Sequence, residues 1–195
     1  LPYKIKGKED ALIVVDVQVD FCPGGSLPVP EGDKIVPVLN EYIRRFNSAG
    51  ALIVATRDWH PPNHVSFKDY GGLWPPHCVQ ETGGAKFHPN LQLPEGVKIV
   101  SKATDPFKEA YSGFEGTNLA EDLKRSGVKR VFVGGLATEY CVKSTVLDAL
   151  NLGFETFLLE DAAMGINAKP SDVEKAIKEM LEKGAKKIKL SDLEE

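Results

Sequence analysis

The sequence predicts an α/β protein: one domain over residues 1–195, with three α/β/α layers around a mostly parallel sheet of about six strands. Three observations predict it. The runs Ala11–Val15, Ala51–Thr56 and Val131–Val133 are apolar, rich in β-branched residues and short enough to be buried strands. Between such runs, apolar residues recur at helical spacing. Alternating strands and helices of this length imply parallel pairing with helices on both faces. At 195 residues the chain is long enough to bury a full-sized core.

In chain order, Ala11–Val15 is a continuous apolar run and reads as a central strand. Asp33 is placed to cap a helix whose apolar face is Ile35, Val38, Leu39, Tyr42, Ile43 and Phe46. Pro37 is tolerated near its start, and Gly50 ends it. Ala51–Thr56 repeats the strand pattern. Residues 57–93 are rich in Pro, Gly, His and aromatics and show no period, which marks a functional stretch rather than filler. Val97–Ser101 reads as a third strand and Thr117–Ser126 as a helix closed by Gly127. After Val131–Val133, Gly134-Gly135 suits a sharp turn or a close backbone approach. From Cys141, Val142, Val146, Ala149 and Leu150 mark a helix that Gly153 stops. Phe154–Leu159 is a fifth strand, Ser171–Lys183 a helix capped by Ser171, and Lys186–Leu190 an edge strand.

Composition narrows the function. Lys+Arg 24 against Asp+Glu 28 gives a net charge of -4, which disfavours nucleic acid as a partner. No apolar run approaches the ~20 residues a membrane span needs, and no signal-peptide pattern opens the chain. The three cysteines, Cys22, Cys78 and Cys141, are odd in number and widely spaced, so a reducing cytoplasm is the simplest setting. Neither a dinucleotide fingerprint nor a Walker loop is present. A homo-oligomer stays open.

Ligands of open α/β sheets bind beyond the carboxyl ends of the strands. Asp16, Gln18, Asp20 and Phe21 follow the first strand, Asp58, Trp59 and His60 the second, Lys102 the third, and Cys141 the fourth. Burial would raise the Asp16 pKa toward that of a useful base, while Asp20 suits a loop brace. Lys102 can stabilise a thiolate or a developing negative charge; a surface lysine is the bland alternative. Cys141 sits where strand gives way to helix, and a helix N-terminus favours a thiolate; a small buried hydrophobe is its bland reading. Asp58 and His60 alternate by two and can point the same way. A third ligand, from His64 or His77, would complete a site for one divalent ion, with Zn first and Fe or Mn also suited. His88 lacks such neighbours and reads as structural or exposed.

The segments Asp16-Val17-Gln18-Val19-Asp20-Phe21, Pro23-Gly24-Gly25-Ser26-Leu27, Arg57-Asp58-Trp59-His60-Pro61 and His64-Val65-Ser66-Phe67 stand in this order. Trp74-Pro75-Pro76-His77-Cys78, Tyr111-Ser112-Gly113-Phe114 and Gly135-Leu136-Ala137-Thr138-Glu139-Tyr140-Cys141-Val142 follow. Together they resemble the nicotinamidases, a family of isochorismatase-like cysteine hydrolases, from about Ala11 to the final strand. The resemblance implies hydrolysis of nicotinamide to nicotinate and ammonia through a cysteine thioester, in NAD salvage, with pyrazinamide as a further substrate. It implies Asp16, Lys102 and Cys141 as catalytic residues and Asp58, His60 and His77 as metal ligands, with His64 a further candidate. It also implies a cis peptide at Leu136–Ala137, backbone amides of Ala137 and Cys141 facing the substrate oxygen, and Phe21, Trp74 and Tyr111 around the ring. A relative acting on N-carbamoyl or ureido substrates is the alternative; such relatives usually lack the metal set.

Overall fold

In a computed structural model, residues 2–195 are described. Six strands form one sheet: β1 (Asp10–Val15), β2 (Leu52–Asp58), β3 (Lys98–Lys102), β4 (Arg130–Leu136), β5 (Glu155–Met164) and β6 (Lys186–Ile188). Their order is β3-β2-β1-β4-β5-β6, and all five strand pairings are parallel rather than only most of them. The helices are α1 (Val36–Ser48), α2 (Leu119–Arg125), α3 (Lys143–Asn151) and α4 (Asp172–Glu182).

Side chains of a strand alternate between the faces of the sheet, so a strand apolar at every position must be covered twice. β1 is buried along its whole length. On one face Leu12 and Val14 pack with Leu39, Tyr42 and Phe46 of α1 and with Phe132 and Phe157. On the other, Ala11, Ile13 and Val15 meet Leu119 and Leu123 of α2, Val146 of α3 and Met180 of α4. Both cores together make the three layers. Chain direction around the sheet reverses between β1 and β4, and such a reversal opens a crevice at the carboxyl ends of the strands. Gly135 makes this possible: its φ is 129°, and a Cβ there would lie 2.1 Å from the Val15 carbonyl oxygen.

Several expected boundaries shift. The helix assigned to Asp33 begins as a 3-10 turn over Gly32–Ile35, and α1 follows without a side-chain cap. Ser171 likewise donates no side-chain cap to α4; it sits at φ 71°. The helix expected from Thr117 starts at Leu119, because Thr117 Oγ1 instead donates to the Gly113 carbonyl at 2.7 Å. β5 runs past Leu159 to Met164 despite Glu160 and Asp161. Asp161 is accommodated by the Tyr42 hydroxyl at 2.7 Å and the Leu190 amide at 2.9 Å. No helix among the described residues is long and apolar enough to cross a membrane.

Candidate active site

The crevice collects four chemistry-bearing side chains from four strands. Asp16 comes immediately after β1 in the left-handed region at φ 51°. Asp58 and Lys102 are the last residues of β2 and β3 and are register partners, so parallel pairing sets them side by side. Cys141 lies in a π-helical turn, Thr138–Val142, reached from β4 through the expected cis Leu136–Ala137 peptide. Asp16 and Ala103, each directly beyond a strand end, adopt positive φ (51° and 52°), conformations that non-glycine residues hold only when the surroundings fix them.

Lys102 is the hub. Its Nζ lies 2.9 Å from Asp16 Oδ2, 2.5 Å from Asp58 Oδ1 and 3.4 Å from Cys141 Sγ. Thr56 Oγ1 donates to Asp16 Oδ1 at 2.8 Å. Asp16 Oδ2 is at ion-pair distance from Lys102 but has no partner in hydrogen-bond geometry. Burial raises the Asp16 carboxyl above its ordinary value, and the opposing pull of Lys102 does not cancel it. Burial opposes ionisation of Asp58 as well, but Lys102 and His60 carry that carboxyl well below its usual range. Burial alone would lower the Lys102 pKa; Asp16 and Asp58 overcome it and hold the ammonium charged. Burial drives the Cys141 thiol well up, Lys102 offsets part of this, and both carboxylates reinforce it. The pull of a helix terminus toward a thiolate is thus opposed by burial. Beside the sulfur stands a carboxyl whose pKa burial raises, a group suited to accept its proton.

A second cluster adjoins the first through Asp58. Ligand atoms of Asp58, His60 and His77 all lie within 4.8 Å of one another. His60 Nδ1 donates to the Ala103 carbonyl at 3.0 Å and His77 Nδ1 to the Pro75 carbonyl at 2.8 Å. Both rings thus turn Nε2 toward Asp58, at 3.4 Å and 3.9 Å from its Oδ2. Backbone carbonyls fix metal-binding imidazoles in this way. His60 Nε2 is buried without a hydrogen-bond partner, which is costly unless something else meets it. One carboxylate and two oriented imidazoles fit a divalent ion. His64 is placed differently: its Nε2 donates to the Lys108 carbonyl at 2.8 Å, and its Nδ1 accepts from the Ser66 hydroxyl at 2.7 Å. Its ring stacks on His60, 4.1 Å between centroids. His88 lies apart from the site, its Nδ1 accepting from the Asn90 amide at 3.1 Å.

Both clusters open into a cavity of about 460 Å³ including its mouth. Phe21, Trp74 and Tyr111 line it, with Asp58, His77 and Cys141 at its inner end. A cleft lined by aromatic rings with a few polar groups suits a small molecule rather than a macromolecule. Asp20 has the bracing role expected of it: Oδ1 accepts from the Ser26 amide at 3.2 Å and Oδ2 from the Cys78 amide at 2.8 Å. Gln18 grips the Asp58 backbone from both sides, donating to its carbonyl at 2.8 Å and accepting from its amide at 2.9 Å.

Sequence reasoning missed Thr56, Glu109 and Glu139. Thr56 closes the strand run Ala51–Thr56, and its being the one polar residue of that run is the available signal. Glu109 lines the cavity, its carboxylate near His60 and His64, and burial raises its pKa. No local pattern marks it.

The isochorismatase domain model matches residues 10–192. A nicotinamidase of Escherichia coli (strain K12) is 40% identical, over 95% of this chain and 97% of its own length. The crystal structure of pyrazinamidase of Pyrococcus horikoshii in complex with zinc is 63% identical with a TM-score of 0.90, covering 93% of this chain and 99% of that one. That of PnC1 from L. infantum in complex with nicotinate is 35% identical with a TM-score of 0.91, covering 100% and 99%. The family match spans β1 to the end of the sheet and takes in both clusters. This chain belongs to the isochorismatase family.

Proposed function

We propose that this chain is a nicotinamidase, hydrolysing nicotinamide to nicotinate and ammonia through a thioester on Cys141. The observation that carries the reading is the meeting of Cys141 Sγ, Lys102 Nζ and Asp16 at the inner end of an aromatic-walled cavity. The identities to nicotinamidases and to a pyrazinamidase support it, and make pyrazinamide, the same carboxamide on a diazine ring, a second substrate.

Asp16 takes the Cys141 proton, and the Lys102 ammonium steadies the thiolate. Sulfur then attacks the carboxamide carbon, while the backbone amides of Ala137 and Cys141 receive the oxyanion. As the tetrahedral adduct collapses, the C–N bond breaks and Asp16 returns its proton to the departing ammonia. A water molecule next adds to the thioester carbon and gives a proton to Asp16. The C–S bond breaks, the sulfur recovers that proton, and nicotinate leaves. Phe21, Trp74 and Tyr111 sandwich the ring and exclude water. Asp58, His60 and His77 would hold the divalent ion, with zinc first choice and iron or manganese also suited to the donors. When bound, it supplies a fixed positive point for the ring nitrogen, so its contribution is orientation. His64, with both ring nitrogens engaged, braces His60.

Residues 1–195 are read as one domain, supported by the single sheet. The reaction serves NAD salvage, and the free cysteines support a cytoplasmic setting. Ammonia release from a panel of amides tests the reading. Nicotinamide and pyrazinamide should be turned over by the wild type, and Cys141→Ala should abolish both while metal content stays unchanged. Turnover retained in Cys141→Ala, or a clear preference for N-carbamoyl or ureido substrates, would overturn it.

A further inference from the structure

We infer that Glu139 is a positioning residue that fixes the cavity wall carried by Ile166 and thereby sets how tightly the substrate ring is held. The inference rests on the proposed amide site and concerns that site's geometry.

Glu139 lies two residues before Cys141 in the same π-helical turn. Its carboxylate reaches the segment that leaves β5. The Ile166 amide donates to Oε1 at 3.0 Å and to Oε2 at 3.1 Å, and the Asn167 amide donates to Oε2 at 2.8 Å. Two successive backbone donors on one carboxylate make a charge-assisted clamp, about twice as strong as neutral bonds. Asn167, held at φ 52°, accepts from the Val173 amide through Oδ1 at 2.8 Å and so ties the strap to the first turn of α4. Gly165 lets the strap pass between α4 and the clamp, since a Cβ there would lie 2.1 Å from Val173 Cγ2 and 2.7 Å from Glu139 Oε1.

The strap has one residue in the cavity. Ile166 lines it together with Phe21, Trp74, Tyr111, Ala137 and Cys141. Glu139 therefore hangs one wall of the cavity from the turn that presents the sulfur. A carboxylate suits this place and an amide does not. Glutamine has one acceptor oxygen, and its NH2 would face a backbone N–H donor. The side chain touches neither the substrate space nor the Lys102 cluster, so its effect must travel through Ile166.

Steady-state kinetics on nicotinamide with Glu139→Gln, Ile166→Ala and the double variant provide the test. Loss of a wall that holds the ring equally in ground and transition states raises KM with little change in kcat. Glu139→Gln should raise KM roughly five- to tenfold with kcat within about twofold, and Ile166→Ala should do the same. In the Ile166→Ala background, Glu139→Gln should add almost nothing, because the two act as one unit. Multiplying effects in the double variant, or a fall in kcat larger than the rise in KM, would overturn the inference while leaving the amidase reading intact. A wild type that does not turn over nicotinamide overturns both. Should Glu139→Gln fail to fold, Glu139→Asp, whose shorter side chain draws the carboxylate back from both amides, carries the same expectations.

Discussion

Two buried ion pairs join register partners on neighbouring parallel strands, at opposite ends of the sheet, and they are built to different ends. At the amino end, Asp10 of β1 faces Arg130 of β4. Arg130 Nε donates to Oδ1 and Nη2 to Oδ2, both at 2.7 Å. The Lys6 amide donates to Oδ2 at 2.6 Å, and Nη2 also reaches the Lys4 carbonyl at 2.7 Å. The guanidinium lies 5.2 Å and 5.6 Å from the Phe132 and Phe157 ring centroids. At the carboxyl end, Asp58 of β2 faces Lys102 of β3, but that ammonium is shared with Asp16 and Cys141. There one carboxylate oxygen and one imidazole nitrogen are left without hydrogen-bond partners. A closed pair is a clamp; a pair with spare valence at a cavity is a reagent. The same strand geometry yields either, depending on whether neighbouring groups complete the hydrogen bonding.

The two ends of the sheet part most sharply at Asp16. Asp16→Asn removes the proton acceptor and should lower kcat by about 10²–10⁴-fold, with the thermal unfolding midpoint held, since a neutral amide suits a buried position. A midpoint collapse with kcat retained would make Asp16 a clamp like Asp10. The converse variant is Arg130→Met, which strands Asp10 and should cost about 3 kcal/mol of stability in denaturant titration. Its kcat/KM should stay within about twofold of wild type where the protein is folded. A third, smaller effect concerns pH. Because burial holds Asp16 above 3.8, and it must be ionised to take the thiol proton, kcat/KM should fall on acidification along a limb centred above that value. A limb at or below 3.8 would show a base that is not desolvated.

Much of this was legible in the residues themselves. Ala11–Val15 can be little else than a doubly covered strand, and the step from it to Asp16 already signals a carboxylate at a strand end. Asp58-Trp59-His60 carries its metal spacing on its face. Three things were not legible. Asp161 looked like the end of a strand because its partners, Tyr42 and Leu190, come from distant parts of the chain. The helix terminus that favours a Cys141 thiolate is a local feature, whereas the burial that opposes it comes from the assembled crevice. Glu139 escaped notice for the same reason: the two amides it holds lie on a strap beyond β5. Spacing reports what one element can do, and contacts across the sheet decide what it does.

The proposed mechanism requires Cys141, in the carboxyl-end cluster, to form a covalent bond to its substrate. Protein quenched in acid during turnover of nicotinamide, then digested and weighed by mass spectrometry, addresses this directly. A nicotinoyl group should appear on the peptide containing Cys141 and disappear once substrate is exhausted. Nicotinate accumulating while every peptide stays unmodified would contradict the thioester.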